Sequence, residues 1–129
     1  EVGQVGTGRD VAIVTFGNGT YLSCQAQKTL AEQGVAARIV DLRWLSPLPE
    51  QAILDAICDC GAVLVVDETR KTGGLADALV ALIAERTALP HARLSAEDSF
   101  IATGPAYAAT MPSASGIVQA ARDLVEAQK

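Results

Sequence analysis

The stretch Ala-Val-Leu-Val-Val-Asp at residues 62–67 decides the fold, because its first five positions are all apolar. Strands covered on both faces have continuous apolar runs, whereas strands with one exposed face alternate apolar and polar residues. We therefore predict that residues 62–67 form a central strand of a parallel sheet. Helices should cover both faces of this sheet, and Asp67 should lie at the carboxyl end of the strand.

Strand and helix patterns alternate on either side of this stretch. The predicted strands are residues 11–16, 36–42, 62–67 and 91–95. Helices are predicted for residues 20–34 (ending at Gly34), after Pro49, from Leu75, and from Ser113 or Ser115, each with apolar residues at helical spacing. This order predicts an α/β three-layer sandwich, with a mostly parallel sheet and helices on both faces.

The bulk composition limits the domain count and the class of partner. The chain has 129 residues, is 50% apolar and carries a net charge of −5. We predict one domain at residues 10–129, preceded by a Gly-rich linker at residues 1–9, and expect the chain to be part of a larger polypeptide. The negative charge argues against a nucleic-acid surface, which needs clustered Lys and Arg.

The localisation and the state of the cysteines are predicted from two patterns that the sequence lacks, a membrane helix and a secretory signal. The chain has no apolar run near the roughly 20 residues of a membrane helix and no secretory signal pattern. We expect Cys24, Cys58 and Cys60 to be reduced thiols, and the protein to be cytoplasmic. We expect no metal site, and a solvated His91 after Pro90.

The turn at Gly17-Asn18-Gly19-Thr20 follows a strand and opens a helix, as a phosphate-binding turn does. Asp41 lies about 20 residues further on, where a dinucleotide-binding fold has its ribose-binding acid. Leu22, however, occupies the position of the third glycine of that motif and argues against NAD binding. Two interpretations remain open: an anion bound at the helix N-terminus, or a tight turn that needs small residues.

Other candidates at the strand ends have structural as well as functional interpretations. Asp67 and Glu68 could act as acid and base, but no nucleophile lies near them in the sequence, which favours capping or interface roles. Gly73-Gly74 suits a tight backbone passage or a ligand contact. Trp44, the only tryptophan, is either a core residue or an interface anchor.

Four segments together resemble a known family, over nearly the whole chain from Arg9 to about Leu124. They are VAIVTFGNG (11–19), ARIVDLRWLSPLP (37–49), VLVVDETRKTGG (63–74) and DSFIATGPA (98–106). They resemble the transketolase-like C-terminal domain, and most of all that of the β-subunit or β-half of thiamine-diphosphate-dependent 2-oxo acid dehydrogenases. The carrying positions include Asp41-Leu42-Arg43, Glu68 and Gly73-Gly74.

The resemblance implies a domain that serves assembly rather than catalysis. In such enzymes thiamine diphosphate and Mg²⁺ lie between pyrimidine- and pyrophosphate-binding domains, so we expect no cofactor, metal or catalytic residue here. The implied partners are those domains, a second copy of this domain, and the dihydrolipoyl acyltransferase. Asp41, Arg43, Trp44, Asp67, Glu68, Gly73 and Gly74 are then interface or structural positions.

Two alternatives to the dehydrogenase domain remain open from the sequence. One is an independent nucleotide- or anion-binding module that uses residues 17–20 and Asp41. The other is the equivalent domain of a transketolase or a deoxyxylulose-phosphate synthase.

Overall fold

The computed structural model describes residues 2–43, 45, 47–70, 75–96 and 113–128, and the side chains of these residues except 68–70 and 96. The strands are β1 (Val2–Val5), β2 (Val11–Thr15), β3 (Ala37–Leu42), β4 (Val63–Arg70) and β5 (His91–Ala96). The helices are α1 (Asn18–Glu32), α2 (Glu50–Ile57), α3 (Leu75–Arg86) and α4 (Ala114–Glu126).

The strands form one five-stranded sheet in the order β1-β3-β2-β4-β5. Strands β3, β2, β4 and β5 run parallel, and β1 pairs antiparallel with β3. The predicted α/β architecture with a mostly parallel sheet is therefore confirmed.

Two apolar cores lie on opposite faces of the sheet. Alternate residues of β2 pack into different cores. Ala12 and Val14 belong to the core under α2 and α3, and Val11 and Ile13 belong to the core under α1 and α4. All five residues of β2 are 0% exposed. Strand β2 is thus covered on both sides. The predicted strand at 62–67, which lies in β4, is divided in the same way: Val63 and Val65 join the first core, and Leu64 and Val66 join the second, as its continuous apolar run predicts.

Individual residues at the helix ends explain where α1 stops and where α4 begins. Gly34 has a φ of 79°, a left-handed conformation that glycine adopts without strain, and it stands just past the end of α1 as predicted. At the start of α4, the Ser113 hydroxyl accepts a hydrogen bond from the Gly116 N–H at 3.1 Å. Of the two predicted N-cap residues, the structure therefore selects Ser113.

Three local expectations were wrong. Residues 2–5 belong to the predicted linker, yet they form strand β1 at the edge of the sheet. The strand predicted to end at Asp67 is longer, because β4 continues to Arg70 after a register shift that begins at Asp67. His91 begins β5, where a strand was predicted, but it is half-buried rather than solvated.

The segment after β1 is held tightly against α1 and β3, because two glycines permit a close approach. Gly6 has a φ of 81°, and a Cβ atom on Gly8 would lie 2.5 Å from the carbonyl carbon of Ala36. The Gln27 side chain of α1 donates hydrogen bonds to the carbonyl oxygens of Val5 and Ala37, at 3.3 and 2.9 Å. One amide group thereby joins the end of β1 to the start of β3.

This bridging amide gives a test of how firmly β1 belongs to the domain. We expect Gln27→Ala to lower the free energy of unfolding by about 1–2 kcal/mol, since two hydrogen bonds are lost. Gln25→Ala is the matched control, because Gln25 lies on the same helix and its side chain bonds to the exposed Tyr21 hydroxyl; we expect a change below about 0.5 kcal/mol. Urea unfolding of both variants measures the difference, and equal losses would contradict the bridging role.

A buried arginine joins the α2 side of the sheet to the turn that follows α2. Arg38 on β3 is 6% exposed. Its guanidinium donates to both carboxylate oxygens of Asp59, at 2.6 and 3.2 Å, and to the carbonyl oxygen of Ala56 at 2.9 Å. The hydrogen bonds from Arg38 lower the pKa of the Asp59 carboxyl below its ordinary value.

This lowered pKa predicts a specific pH dependence of stability. The unfolded chain takes up a proton on Asp59 at a pH where the folded chain does not, so the contribution is present above the ordinary carboxyl pKa and is lost as the pH falls through the folded value. We expect Asp59→Asn to reduce the loss of stability on acidification. Unfolding curves at several pH values between neutral and acidic conditions measure this slope, and an unchanged slope would contradict the prediction.

Candidate functional site

The carboxyl ends of the parallel strands bring together several of the predicted site residues. The α1 helix starts directly after β2, so the turn at residues 17–20 lies next to the end of β3. The Thr20 hydroxyl donates a hydrogen bond to the Asp41 carboxylate at 2.9 Å. The turn and Asp41, which the dinucleotide-like spacing offered as parts of one binding site, are therefore in contact through two side chains.

Positions 17 and 19 of this turn each require glycine for a different structural reason. Gly17 has a φ of 59°, which side chains other than glycine rarely adopt. Gly19 is buried, and a Cβ atom there would clash with the Thr15 hydroxyl at the end of β2. These features favour the tight-turn interpretation, because both glycines are needed to start α1 close to the sheet.

Anion binding at the same turn stays a prediction, and the local charge acts against it. The N–H groups of Gly19 and Thr20 donate to the carbonyl oxygens of Phe16 and Gly17, at 3.1 Å each. The Asp41 carboxylate is bonded to Thr20 in this turn. A bound anion would therefore meet a negative charge and N–H groups that already have acceptors.

Asp67 holds the start of α3 rather than facing an open cleft. Its side chain is 0% exposed, and its carboxylate accepts a hydrogen bond from the Ala76 N–H at 2.7 Å. A carboxylate at this place satisfies one of the free N–H groups in the first turn of the helix and interacts favourably with its dipole. The expected capping role of Asp67 agrees with this contact.

Arg43 lies at the other edge of the same rim, against strand β1. Its side chain packs on Gly3, where a Cβ atom would lie 2.7 Å from Arg43 Nη2. Arg43 itself is exposed. The sequence reasoning missed this contact of Gly3 with Arg43, because residues 1–9 were expected to be a linker and a distant glycine and arginine give no local signal of contact.

The remaining predicted positions cannot be placed. Trp44, Gly73 and Gly74 lie outside the described residues, and the side chain of Glu68 is also not described. The interface or structural roles expected for these four residues therefore stay predictions.

The described carboxylates of the rim do not fit thiamine diphosphate held through Mg²⁺. Such a site needs carboxylate or amide oxygens open to the cation. Asp41 accepts the Thr20 hydroxyl instead, and Asp67 is fully buried against α3. We therefore assign no catalytic step through that cofactor to these residues.

Other reactive groups lie away from the rim. Cys24, Cys58 and Cys60 are free thiols, and burial raises the pKa of the Cys60 thiol above its ordinary value. In the part of the chain that the structure describes, no group of three or more His, Cys, Asp and Glu side chains could hold a metal ion. No helix among the described residues is both long and apolar enough to cross a membrane.

The contact between Asp67 and α3 gives a direct test of its structural role. We expect Asp67→Ala to lower the free energy of unfolding by about 1–3 kcal/mol, because a buried N–H loses its acceptor. Asp67→Asn keeps an oxygen that can accept from Ala76 and should lose clearly less. Thermal or urea unfolding measures both variants, and equal losses would show that the charge, not the acceptor, matters at this position.

Comparison with known proteins places this geometry in a family. Residues 1–117 match the transketolase C-terminal domain. The chain is 32% identical over 123 residues to the pyruvate dehydrogenase E1 component subunit β of Bacillus subtilis. This match covers 92% of the present chain and 38% of the relative. It is 36% identical over 101 residues to the 1-deoxy-D-xylulose-5-phosphate synthase of Nitratidesulfovibrio vulgaris, covering 75% of this chain and 16% of that protein.

A solved structure supports the same placement. A split-gene transketolase, described as an inactive β4 tetramer, superposes on 100% of this chain and 42% of its own, with a TM-score of 0.88 at 26% identity. The chain thus spans less than half the length of each of these relatives. It belongs to the transketolase C-terminal domain family, a domain of thiamine-diphosphate-dependent enzymes.

Proposed function

We propose that this chain is the C-terminal domain of the decarboxylating component of a 2-oxo acid dehydrogenase complex. Its task is subunit assembly and docking of the dihydrolipoyl acyltransferase, while the parent enzyme decarboxylates a 2-oxo acid and transfers the acyl group to lipoamide. The observation that carries the proposal is the similarity to a pyruvate dehydrogenase β subunit over 92% of the chain.

The cofactor belongs to other parts of the parent enzyme in this proposal. Thiamine diphosphate supplies the carbanion stabilisation that decarboxylation of a 2-oxo acid needs. The pyrimidine- and pyrophosphate-binding domains would hold it together with Mg²⁺. The present chain would contribute surface, because its rim carboxylates contact Thr20 and the start of α3.

The exposed part of the rim suits a contact with neighbouring domains. Arg43 is exposed and rests on β1, and an arginine held in this way loses little conformational freedom on binding. Arginine and tryptophan are enriched among the residues that dominate binding energy at interfaces. We propose that Arg43, with its chain neighbour Trp44, contacts an adjacent domain of the parent enzyme.

The second candidate is the equivalent domain of a 1-deoxy-D-xylulose-5-phosphate synthase or a transketolase. It is favoured by the 36% identity to a synthase, which is higher than the 32% identity to the dehydrogenase subunit. The synthase match covers 101 residues against 123, however, so the dehydrogenase parent accounts for more of the chain.

A domain exchange separates the two parents. The chain would replace the matching domain of the Bacillus subtilis pyruvate dehydrogenase β subunit and, in parallel, that of the Nitratidesulfovibrio vulgaris synthase. We expect the dehydrogenase chimera to assemble with its α subunit and to retain pyruvate-dependent reduction of an artificial electron acceptor. We expect the synthase chimera to lose most of its activity, because its domain contacts differ.

The controls keep this exchange interpretable. Each host enzyme with its own domain reinserted sets the reference activity, and gel filtration of each chimera shows whether it assembles. Binding of purified dihydrolipoyl acetyltransferase to the dehydrogenase chimera tests the docking role separately. An active synthase chimera beside an inactive dehydrogenase chimera would overturn the proposal in favour of the second candidate.

A further inference from the structure

Asn18 is the only asparagine of the chain, and a glycine follows it. An asparagine before glycine is the dipeptide most prone to spontaneous deamidation, because glycine has no side chain to hinder attack by its own backbone nitrogen. Asn18 is the first residue of α1, and it is exposed. A reactive dipeptide therefore lies in the turn that joins β2 to α1, at the carboxyl edge of the sheet.

Deamidation of this dipeptide consumes only water. The backbone nitrogen of Gly19 gives up its proton and attacks Cγ of Asn18. The bond from Cγ to the side-chain nitrogen breaks, and ammonia leaves. Water then opens the resulting succinimide ring at either of its two carbonyl carbons, which gives aspartate or isoaspartate. The reaction therefore needs neither an oxidant nor a second protein, and its rate depends on the conformation of the turn.

The folded turn restrains the attacking nitrogen. The Gly19 N–H donates a hydrogen bond to the carbonyl oxygen of Phe16 at 3.1 Å, so its proton is held. Gly19 is also buried, and a Cβ atom there would clash with the Thr15 hydroxyl, so this part of the backbone rests directly on the end of β2. The nitrogen is therefore not free to lose its proton or to move toward Asn18.

The helical conformation adds a geometric barrier. Ring closure requires Cβ of Asn18 and the Gly19 nitrogen to be nearly eclipsed about the Cα–C bond of Asn18. The ψ of about −42° that is typical of a helix rotates these two atoms apart. The next residue holds this conformation, because Thr20 donates its N–H to the Gly17 carbonyl oxygen at 3.1 Å and its hydroxyl to Asp41 at 2.9 Å. The turn has to open before the ring can form.

We propose that Asn18 is a conformationally protected deamidation site, unreactive while the turn at residues 17–20 is closed and reactive once it opens. The products then oppose closure. Isoaspartate routes the main chain through Cβ and lengthens it by one atom, which displaces Thr20 from Asp41. Aspartate adds a negative charge to a turn that already contacts the Asp41 carboxylate. A reversible opening thereby leaves a permanent change, whichever parent enzyme carries the domain.

The rate of deamidation measures the population of the open turn. When the turn opens and closes quickly relative to the reaction, the observed rate is the rate of the unprotected dipeptide multiplied by the open fraction. Each tenfold reduction in rate then corresponds to about 1.4 kcal/mol of opening free energy. Opening of the turn alone and unfolding of the whole domain respond differently to mutation, so variants distinguish them.

Mass spectrometry of the full chain, incubated at neutral to mildly alkaline pH, tests the proposal. Trypsin, which cleaves after Arg9 and Lys28, releases Asn18 within residues 10–28, and chromatography separates the asparagine, aspartate and isoaspartate forms. We expect deamidation in the folded chain to be at least about tenfold slower than in a synthetic peptide of residues 10–28, which has the same dipeptide without the fold. Equal rates would overturn the proposal, because the turn would then give no protection.

Two variants weaken the turn without changing the reactive dipeptide. Gly17 has a φ of 59°, so Gly17→Ala introduces strain, and Asp41→Ala removes the acceptor of the Thr20 hydroxyl. We expect each to accelerate deamidation about fivefold or more in a chain that remains folded. Gln27→Ala is the matched control, because it loses two hydrogen bonds in the second half of α1, away from the turn. It should leave the rate unchanged.

The control distinguishes opening of the turn from global unfolding. If all three variants accelerate deamidation in proportion to their loss of unfolding free energy, measured in urea, the reaction proceeds through the unfolded chain and protection by the turn is wrong. A Gly17→Ala chain that does not fold leaves Asp41→Ala to decide. An unchanged rate in folded Asp41→Ala would also overturn the proposal.

Discussion

Complete burial of strand β2 is the constraint on which the rest of the domain depends. All five of its residues, Val11 to Thr15, are 0% exposed, and alternate side chains serve opposite cores. Such a strand is stable only if helices cover both faces of the sheet. The chain must therefore return along one face of the sheet after a parallel strand, and each return begins at the carboxyl edge.

That carboxyl edge is where α/β proteins usually bind ligands, yet its described side chains contact parts of the same chain. Asp41 accepts the hydroxyl of Thr20 at the start of α1, and Asp67 accepts the N–H of Ala76 near the start of α3. Each carboxylate thus ties a helix start to the end of a strand. Both acids therefore contribute to the fold of the domain itself.

The sequence predicts the central features because they depend on local pattern. Continuous apolar runs identify β2 and β4, Gly34 marks the end of α1, and Ser113 caps α4. Strand β1 could not be predicted in the same way: Val2–Val5 has no strong strand pattern, and it is held by distant partners, β3 and Gln27. The contact of Arg43 with Gly3 was hidden for the same reason, since it depends on β1.

In the candidate site, too, some features could be predicted from the sequence and others could not. The spacing offered Gly17–Thr20 and Asp41 as parts of one binding site, and in the structure Thr20 and Asp41 are joined by a hydrogen bond of 2.9 Å. Whether they bind a ligand depends on charge and on free N–H groups, which spacing does not reveal. The Arg38–Asp59 pair was also missed, because it joins β3 to the turn after α2 and the two residues lie 21 positions apart in the sequence.

The most direct test of this account is calorimetric titration of the isolated chain with thiamine diphosphate in the presence of Mg²⁺. If the rim carboxylates serve only the fold, no binding should be detected with the cofactor at up to about 1 mM, where even a weak site would begin to fill. Saturable binding in the micromolar range, lost on Asp41→Asn, would contradict the account, because it would show that the rim itself holds the cofactor.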